Sequence, residues 1–281
     1  MRRTNTLLST CFVATSALAG CGDSQDPRDP PGKQMPTEVS MVASEGFDAP
    51  LDAVASPDGS IFYFTAFTLD DEPRAAVFSV AANGGPVSQL HAGAPLAYPS
   101  GLVLSCDGVQ LIVSDKSESS DDDDVEVEDA GKLYSIDVTT GVLTVLDAAG
   151  IDDPGGLALS NDCQTLYISG AKQDGTPALF RMPIAGGAVE VVFEGSPLVS
   201  PTGMYVDDDQ IAWVLDQFGA DGSGTLYAIT QTGDISTVVE GLAIGTPGGC
   251  SLNSAGDTAF VPTQNELGVT QLTIVSLATV E

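Results

Sequence analysis

Short runs of apolar and β-branched residues alternate with polar turns along most of the chain. The unit that starts at Asp153 shows the pattern most clearly. GLALS (156–160) and TLYIS (165–169) flank the turn residues Asn161 and Asp162, while ALFRMPI (178–184) and AVEVVF (188–193) flank Ala185-Gly186-Gly187. Runs of this length bounded by Gly, Asn and Asp predict strands joined as hairpins. The same arrangement returns as KLYSIDVTTGVLTVL from Lys132 and TLYAITQTGDISTVV from Thr225, each read as two strands about a turn that contains glycine.

The pattern repeats as a whole. Alignment on one proline superposes APLDAVASPDGSIFYFTA from Ala49, YPSGLVLSCDGVQLIVSD from Tyr98, DPGGLALSNDCQTLYISG from Asp153, SPTGMYVDDDQIAWVLD from Ser200 and TPGGCSLNSAGDTAFVPT from Thr246. Pro50, Pro99, Pro154, Pro201 and Pro247 are 49, 55, 47 and 46 residues apart. A period of this size with four strands per unit predicts propeller blades. A β-sandwich has no reason to repeat Pro-x-Gly and Ser-x-Asp-Gly in phase. The last unit lacks a fourth strand after QLTIVSLATV, whereas EVSMVASEG from Glu38 resembles the fourth-strand segments EVVFEGSPL and STVVEGLAI. The expectation is therefore an all-β, five-bladed propeller of four-stranded antiparallel blades closed by the N-terminal strand, with six blades as the alternative. Pairing the two ends would also hide two exposed sheet edges.

The Pro-x-Gly, LxLS, DG and LYISG pattern resembles the NHL, YVTN and SMP-30/gluconolactonase group of propellers over essentially the whole chain after the N-terminal segment. The resemblance implies a candidate site on one face. There the loops leading into the innermost strands meet the ends of the second strands around a central channel. By alignment that rim holds Leu51, Asp52, Ser100, Gly155, Thr202 and Gly248 from the lead-in loops, and Ala66, Asp115, Gly170, Asp216 and Thr263 from the strand ends. Lactonases of the SMP-30 type bind a divalent cation through carboxylate and amide side chains at such loops. Here the motifs read Pro99-Ser100-Gly101, Pro154-Gly155-Gly156, Pro201-Thr202-Gly203 and Pro247-Gly248-Gly249, and none supplies a carboxylate or amide. The candidate ligand site is thus Asp52, Ser100, Asp115, Thr202 and Asp216. A divalent cation such as calcium is the cofactor it would take, although each aspartate also fits a role in accepting hydrogen bonds from a neighbouring turn.

The N-terminal segment adds an address. Arg2 and Arg3 precede LLSTCFVATSALAG, an apolar stretch too short to span a bilayer, so residues 1–20 read as an export signal. Leu18-Ala19-Gly20-Cys21 resembles the lipobox of bacterial lipoproteins, which makes Cys21 the lipidation site and the membrane a partner through the lipid anchor. Residues 21–36, rich in proline, glycine and charge, read as a flexible tether, and residues 37–281 as the propeller domain.

Charge excludes one class of partner. Removing the signal leaves seven basic against 39 acidic residues, a net of −32, which repels nucleic acid and anionic headgroups. The acidic insert 116–131, within KSESSDDDDVEVEDAGK, reads as a solvated loop that also fits weak calcium binding, but it lacks the ligand spacing of an EF-hand. Cys106 and Cys163 fall in the first turns of neighbouring units and are a candidate disulfide. Cys250 reads as a small buried residue, and Tyr167 and Trp213 as packing between blades. The single histidine, His91, precedes Tyr98 without a G-x-S-x-G elbow anywhere in the chain, so it reads as a solvated loop residue. The function expected is a monomeric, lipid-anchored module of the bacterial cell envelope, periplasmic or on the outer surface, that binds a protein or small ligand without catalysis. The alternative is an SMP-30-like, metal-dependent lactone hydrolase with a degenerate site.

Overall fold

The computed structural model describes residues 38–116, 131–207, 209–219, 224–242, 251–252, 258–264 and 270–276. Within these, twenty strands form five four-stranded antiparallel sheets. Four of the sheets are runs of consecutive strands. The first comprises β2 (Asp48–Ala55), β3 (Ile61–Phe67), β4 (Ala75–Ala81) and β5 (Ser88–Ala92). The second comprises β6 (Tyr98–Leu104), β7 (Gln110–Lys116), β8 (Lys132–Asp137) and β9 (Leu143–Leu146). The third comprises β10 (Asp153–Leu159), β11 (Thr165–Ala171), β12 (Pro177–Pro183) and β13 (Glu190–Glu194). The fourth comprises β14 (Pro201–Val206), β15 (Ala212–Asp216), β16 (Gly224–Ile229) and β17 (Ile235–Leu242).

The five blades expected from the repeat are corrected to four. Each of those four sheets is an open meander whose strands pair in sequence order. The remaining sheet is assembled from the two chain ends. In it β1 (Glu38–Ala43) pairs with β20 (Thr270–Ser276), then β19 (Thr258–Gln264), then β18, which is only Ser251–Leu252 and meets β19 at two residue pairs. The physical reason lies in the fifth copy of the repeat. Cys250-Ser251-Leu252-Asn253-Ser254 replaces the aliphatic run seen in Leu102-Val103-Leu104, so little apolar area is available to fix a long inner strand. The described core is a four-bladed propeller with a terminal sheet of different construction. No sixth sheet exists among the described residues.

Four apolar clusters hold these layers together. Phe47, Phe64 and Phe78 pack together in the first, with Phe47 and Phe64 edge to face at 4.8 Å and Phe64 stacked on Phe78 at 5.4 Å. Tyr63 and Val77 of the first blade meet Leu102, Leu111 and Val113 of the second. Ile112 and Leu133 meet Leu166, Ile168 and Phe180 of the third, and Tyr167 and Leu179 meet Val214 and Tyr227 of the fourth. Tyr167 therefore packs between blades. Trp213 is half-buried and donates through Nε1 to Asp207 at 2.8 Å. Neighbouring blades thus bury both faces of the second and third sheets, which explains strands such as LIVS and LYIS that are apolar at successive positions.

The recurrent Ser-x-Asp is a turn device. Ser56 Oγ donates to Asp58, Ser105 Oγ to Asp107 and Ser160 Oγ to Asp162, and each carboxylate also accepts a backbone N–H that starts the returning strand. These bonds hold Asp58 at about 2, below the usual carboxylate range, with the Ser56 hydroxyl the largest cause. Next to two of the turns, Cys106 and Cys163 form a disulfide across blades two and three, with Cα atoms 6.1 Å apart.

Candidate functional site

In each of the four blades the innermost strand is irregular around the aligned proline, which opens Pro-x-Gly in the second to fourth blades and Pro50-Leu51-Asp52 in the first. The register shifts between Asp48 and Asp52, between Pro99 and Gly101, between Pro154 and Leu157, and between Pro201 and Met204. Proline brings no N–H to the ladder, so the strand bulges where the motif sits. The glycines then allow inner strands to meet backbone to backbone. A Cβ on Gly101 would collide with the carbonyl of Gly155, and one on Gly156 with the carbonyl of Thr202.

Hydroxyl groups tie these strands across the blades. Ser100 Oγ donates to the carbonyl of Pro154 at 2.9 Å, Ser114 Oγ to Gly155, and Ser169 Oγ to Thr202 at 2.5 Å. The Thr202 hydroxyl turns back to the Leu215 carbonyl at 3.2 Å. The two hydroxyl candidates from the sequence are thus engaged with backbone.

The three candidate aspartates are buried, and each is engaged by backbone amides. Asp52 accepts from its neighbour Ala53 at 2.8 Å through one oxygen and from Leu102 of the next blade at 2.8 Å through the other. Burial pushes its carboxyl up to about 7 against the lowering effect of those two amide bonds. Asp115, at the end of β7, accepts from Ala97 at 2.9 Å and Tyr98 at 2.7 Å. Asp216, at the end of β15, accepts from Val199 at 2.7 Å and Ser200 at 3.0 Å in the lead-in loop, and from Phe218 at 3.1 Å and Gly219 at 2.9 Å on its far side. Among the described residues no three His, Cys, Asp or Glu side chains gather where a metal ion would be held.

Blades two and four share a further device that the repeat alignment leaves out. Their lead-in loops read Gly93-Ala94-Pro95-Leu96-Ala97-Tyr98-Pro99-Ser100-Gly101 and Gly195-Ser196-Pro197-Leu198-Val199-Ser200-Pro201-Thr202-Gly203. Leu96 and Leu198 are buried, and the Tyr134 and Tyr227 hydroxyls donate to the carbonyls of Pro95 and Pro197, both at 3.3 Å. The signal was present as GxPLxxPxG, six residues ahead of the Pro-x-Gly on which the units align.

His91 is corrected from a solvated loop residue to a half-buried one on β5. Its Nδ1 lies 3.3 Å from the carbonyl of Gly141 in the second blade, and its Nε2 is buried without a hydrogen-bond partner among the described residues. A cleft of about 260 Å³ is lined by the end of β1 and by the β1–β2 and β4–β5 connections, Val42, Glu45, Gly85 and Val87 among the residues, and includes none of the rim candidates. Cys21, Cys250, Gly248 and insert residues 117–130 lie outside the described residues, and the side chain of Thr263 is likewise not described.

Comparison of the sequence with protein-family models and with curated proteins gives no match. Solved structures do resemble the chain. A nidogen/laminin complex is similar at a TM-score of 0.56 and 15% identity, over 76% of this chain and 71% of that one. TolB from Acinetobacter baumannii is similar at 0.55 and 12% identity over 82% of this chain, which spans 55% of that chain. A gluconolactonase from Xanthomonas campestris is similar at 0.50 and 15% identity, over 87% of this chain and 91% of that one. At these identities the likeness shows the fold, a β-propeller, and no activity.

Proposed function

We propose that this propeller is a non-enzymatic binding module, held at the bacterial cell envelope by a lipid on Cys21 and presenting one face to a protein or small ligand. One observation carries the reading: Asp52, Asp115 and Asp216 each accept hydrogen bonds from backbone amides of loops or neighbouring strands. A hard cation takes six or more oxygens, several of them anionic. Carboxylates committed to amides are poor donors for that purpose, and the Pro-x-Gly motifs add no others. The arrangement supports a rigid rim whose job is to hold loops in place. The export signal, the lipobox-like Leu18-Ala19-Gly20-Cys21 and the absence of acidic residues from the first twenty support the address.

The test is a thermal melt of the mature chain with calcium, magnesium, zinc or manganese, run beside a lactone hydrolysis screen. A ligand at 100 times its dissociation constant stabilises by about 2.7 kcal/mol. The expected outcome is no metal-dependent shift and no hydrolysis. Lactone turnover that requires a divalent cation and disappears with the rim aspartates would replace this reading with the hydrolase.

A further inference from the structure

Two of the rim aspartates do more than close loops, because some of the amides they hold belong to residues with exposed apolar side chains. Asp115 fixes the backbone of Tyr98, whose ring is 39% exposed and lies 5.9 Å from that of Phe67. Asp216 fixes Val199 on one side and Phe218 on the other, each 50% exposed. Leu69, beyond the end of β3, is 64% exposed. Antiparallel order places all four at the end of the blades where the lead-in loops and second-strand ends meet. Large apolar groups held by a pre-formed backbone are the kind of side chain that dominates protein interfaces, since little conformational freedom is lost when they are covered.

Charge at the same end defines the partner. Among the described residues three cations there are paired: Arg74 with Asp70 at 2.6 Å, Lys116 with Asp153 at 3.3 Å and Lys172 with Glu194 at 3.0 Å. Asp71, Glu72 and Asp152 have no such cation among the described residues, and the mature chain as a whole carries −32. An anionic membrane surface or nucleic acid is repelled by this field, whereas a basic polypeptide is drawn to it.

We infer that the lead-in end of the propeller is a docking surface for a polypeptide segment carrying basic residues interleaved with apolar ones, with Tyr98, Val199, Phe218 and Leu69 as anchors. Asp115 and Asp216 act as positioning residues beneath them. This inference rests on the binding reading above.

Calorimetric titration of the full mature chain carrying Cys21→Ser tests it with three synthetic peptides. One interleaves lysine and arginine with leucine and phenylalanine, one replaces its apolar residues by serine, and one replaces its cations by glutamate. The first peptide binds, binding weakens in raised salt, and Tyr98→Ser or Phe218→Ser lowers affinity about tenfold or more. Val142→Ser and Val145→Ser, which alter exposed valines of the β8–β9 hairpin, leave it unchanged. Equal binding of the serine peptide, unchanged affinity in the Tyr98 and Phe218 variants, preferential binding to anionic lipid vesicles, or no binding at all overturns the inference. Those outcomes leave the binding module standing, because only cation-dependent lactone turnover removes that reading.

Discussion

Asp52 shows how one position sets a property of the whole chain. Its carboxyl is raised to about 7 in the folded protein, from an ordinary value near 3.8, chiefly by burial. Between those values the native state binds more protons than the unfolded chain, so stability is fully present below about pH 4 and falls as pH rises toward 7. Three units correspond to at most about 4 kcal/mol. Asp52→Asn has no proton to lose at this site, so between pH 4 and 8 the melting temperature of the native chain should fall relative to that of Asp52→Asn. Parallel curves would show that Asp52 does not carry the effect. Asp216 is the opposite case, since its value lies in the amides it serves. Asp216→Ala leaves Val199, Ser200, Phe218 and Gly219 without their acceptor and should cost about 2–5 kcal/mol in urea unfolding. Both aspartates are visible in the sequence as strand-end or loop carboxylates. Nothing in their immediate surroundings says whether they face a ligand or a neighbouring loop, because the deciding amides lie 16 to 50 residues away.

The inner strands carry a stricter requirement than strand propensity. Gly101 and Gly156 sit where the neighbouring strand's carbonyl fills the place of a Cβ. Gly156→Ala therefore has to move the backbone at Thr202, and a loss of several kcal/mol is expected on chemical unfolding. The glycine of Pro-x-Gly reads in isolation as a turn signal, and only the approach of two blades gives it this second meaning. The hairpins were more legible: GLALS, TLYIS, ALFRMPI and AVEVVF all appear as strands β10 to β13. Their alternation and turn residues act over a few positions, where sequence and structure are closely coupled. The disulfide adds a link between elements. Cys106 and Cys163 are separated by 57 residues, so reduction or Cys163→Ser should lower stability by about 4 kcal/mol on the loop-entropy account, which a melt with and without reductant measures.

For the whole molecule, the large negative charge outweighs any single ion pair. A net of −30 works against compactness through self-repulsion, which salt screens. The melting temperature should rise between about 0.01 and 0.3 M sodium chloride, a range over which the screening length falls well below the molecular diameter. A flat response would mean that the acidic residues are spread too widely to repel.

The sequence by itself determined the all-β class, the hairpins, the in-phase repeat and the acidic surface, because each follows from local periodicity or simple composition. Tertiary structure decided what no local pattern contains. It left the fifth copy outside the four-bladed core, with an inner strand of only two residues, Ser251–Leu252. It paired the cysteines, half-buried His91 and turned three candidate metal ligands into amide acceptors. A carboxylate's role depends on which donors reach it, and in a propeller those donors arrive from other strands and neighbouring blades.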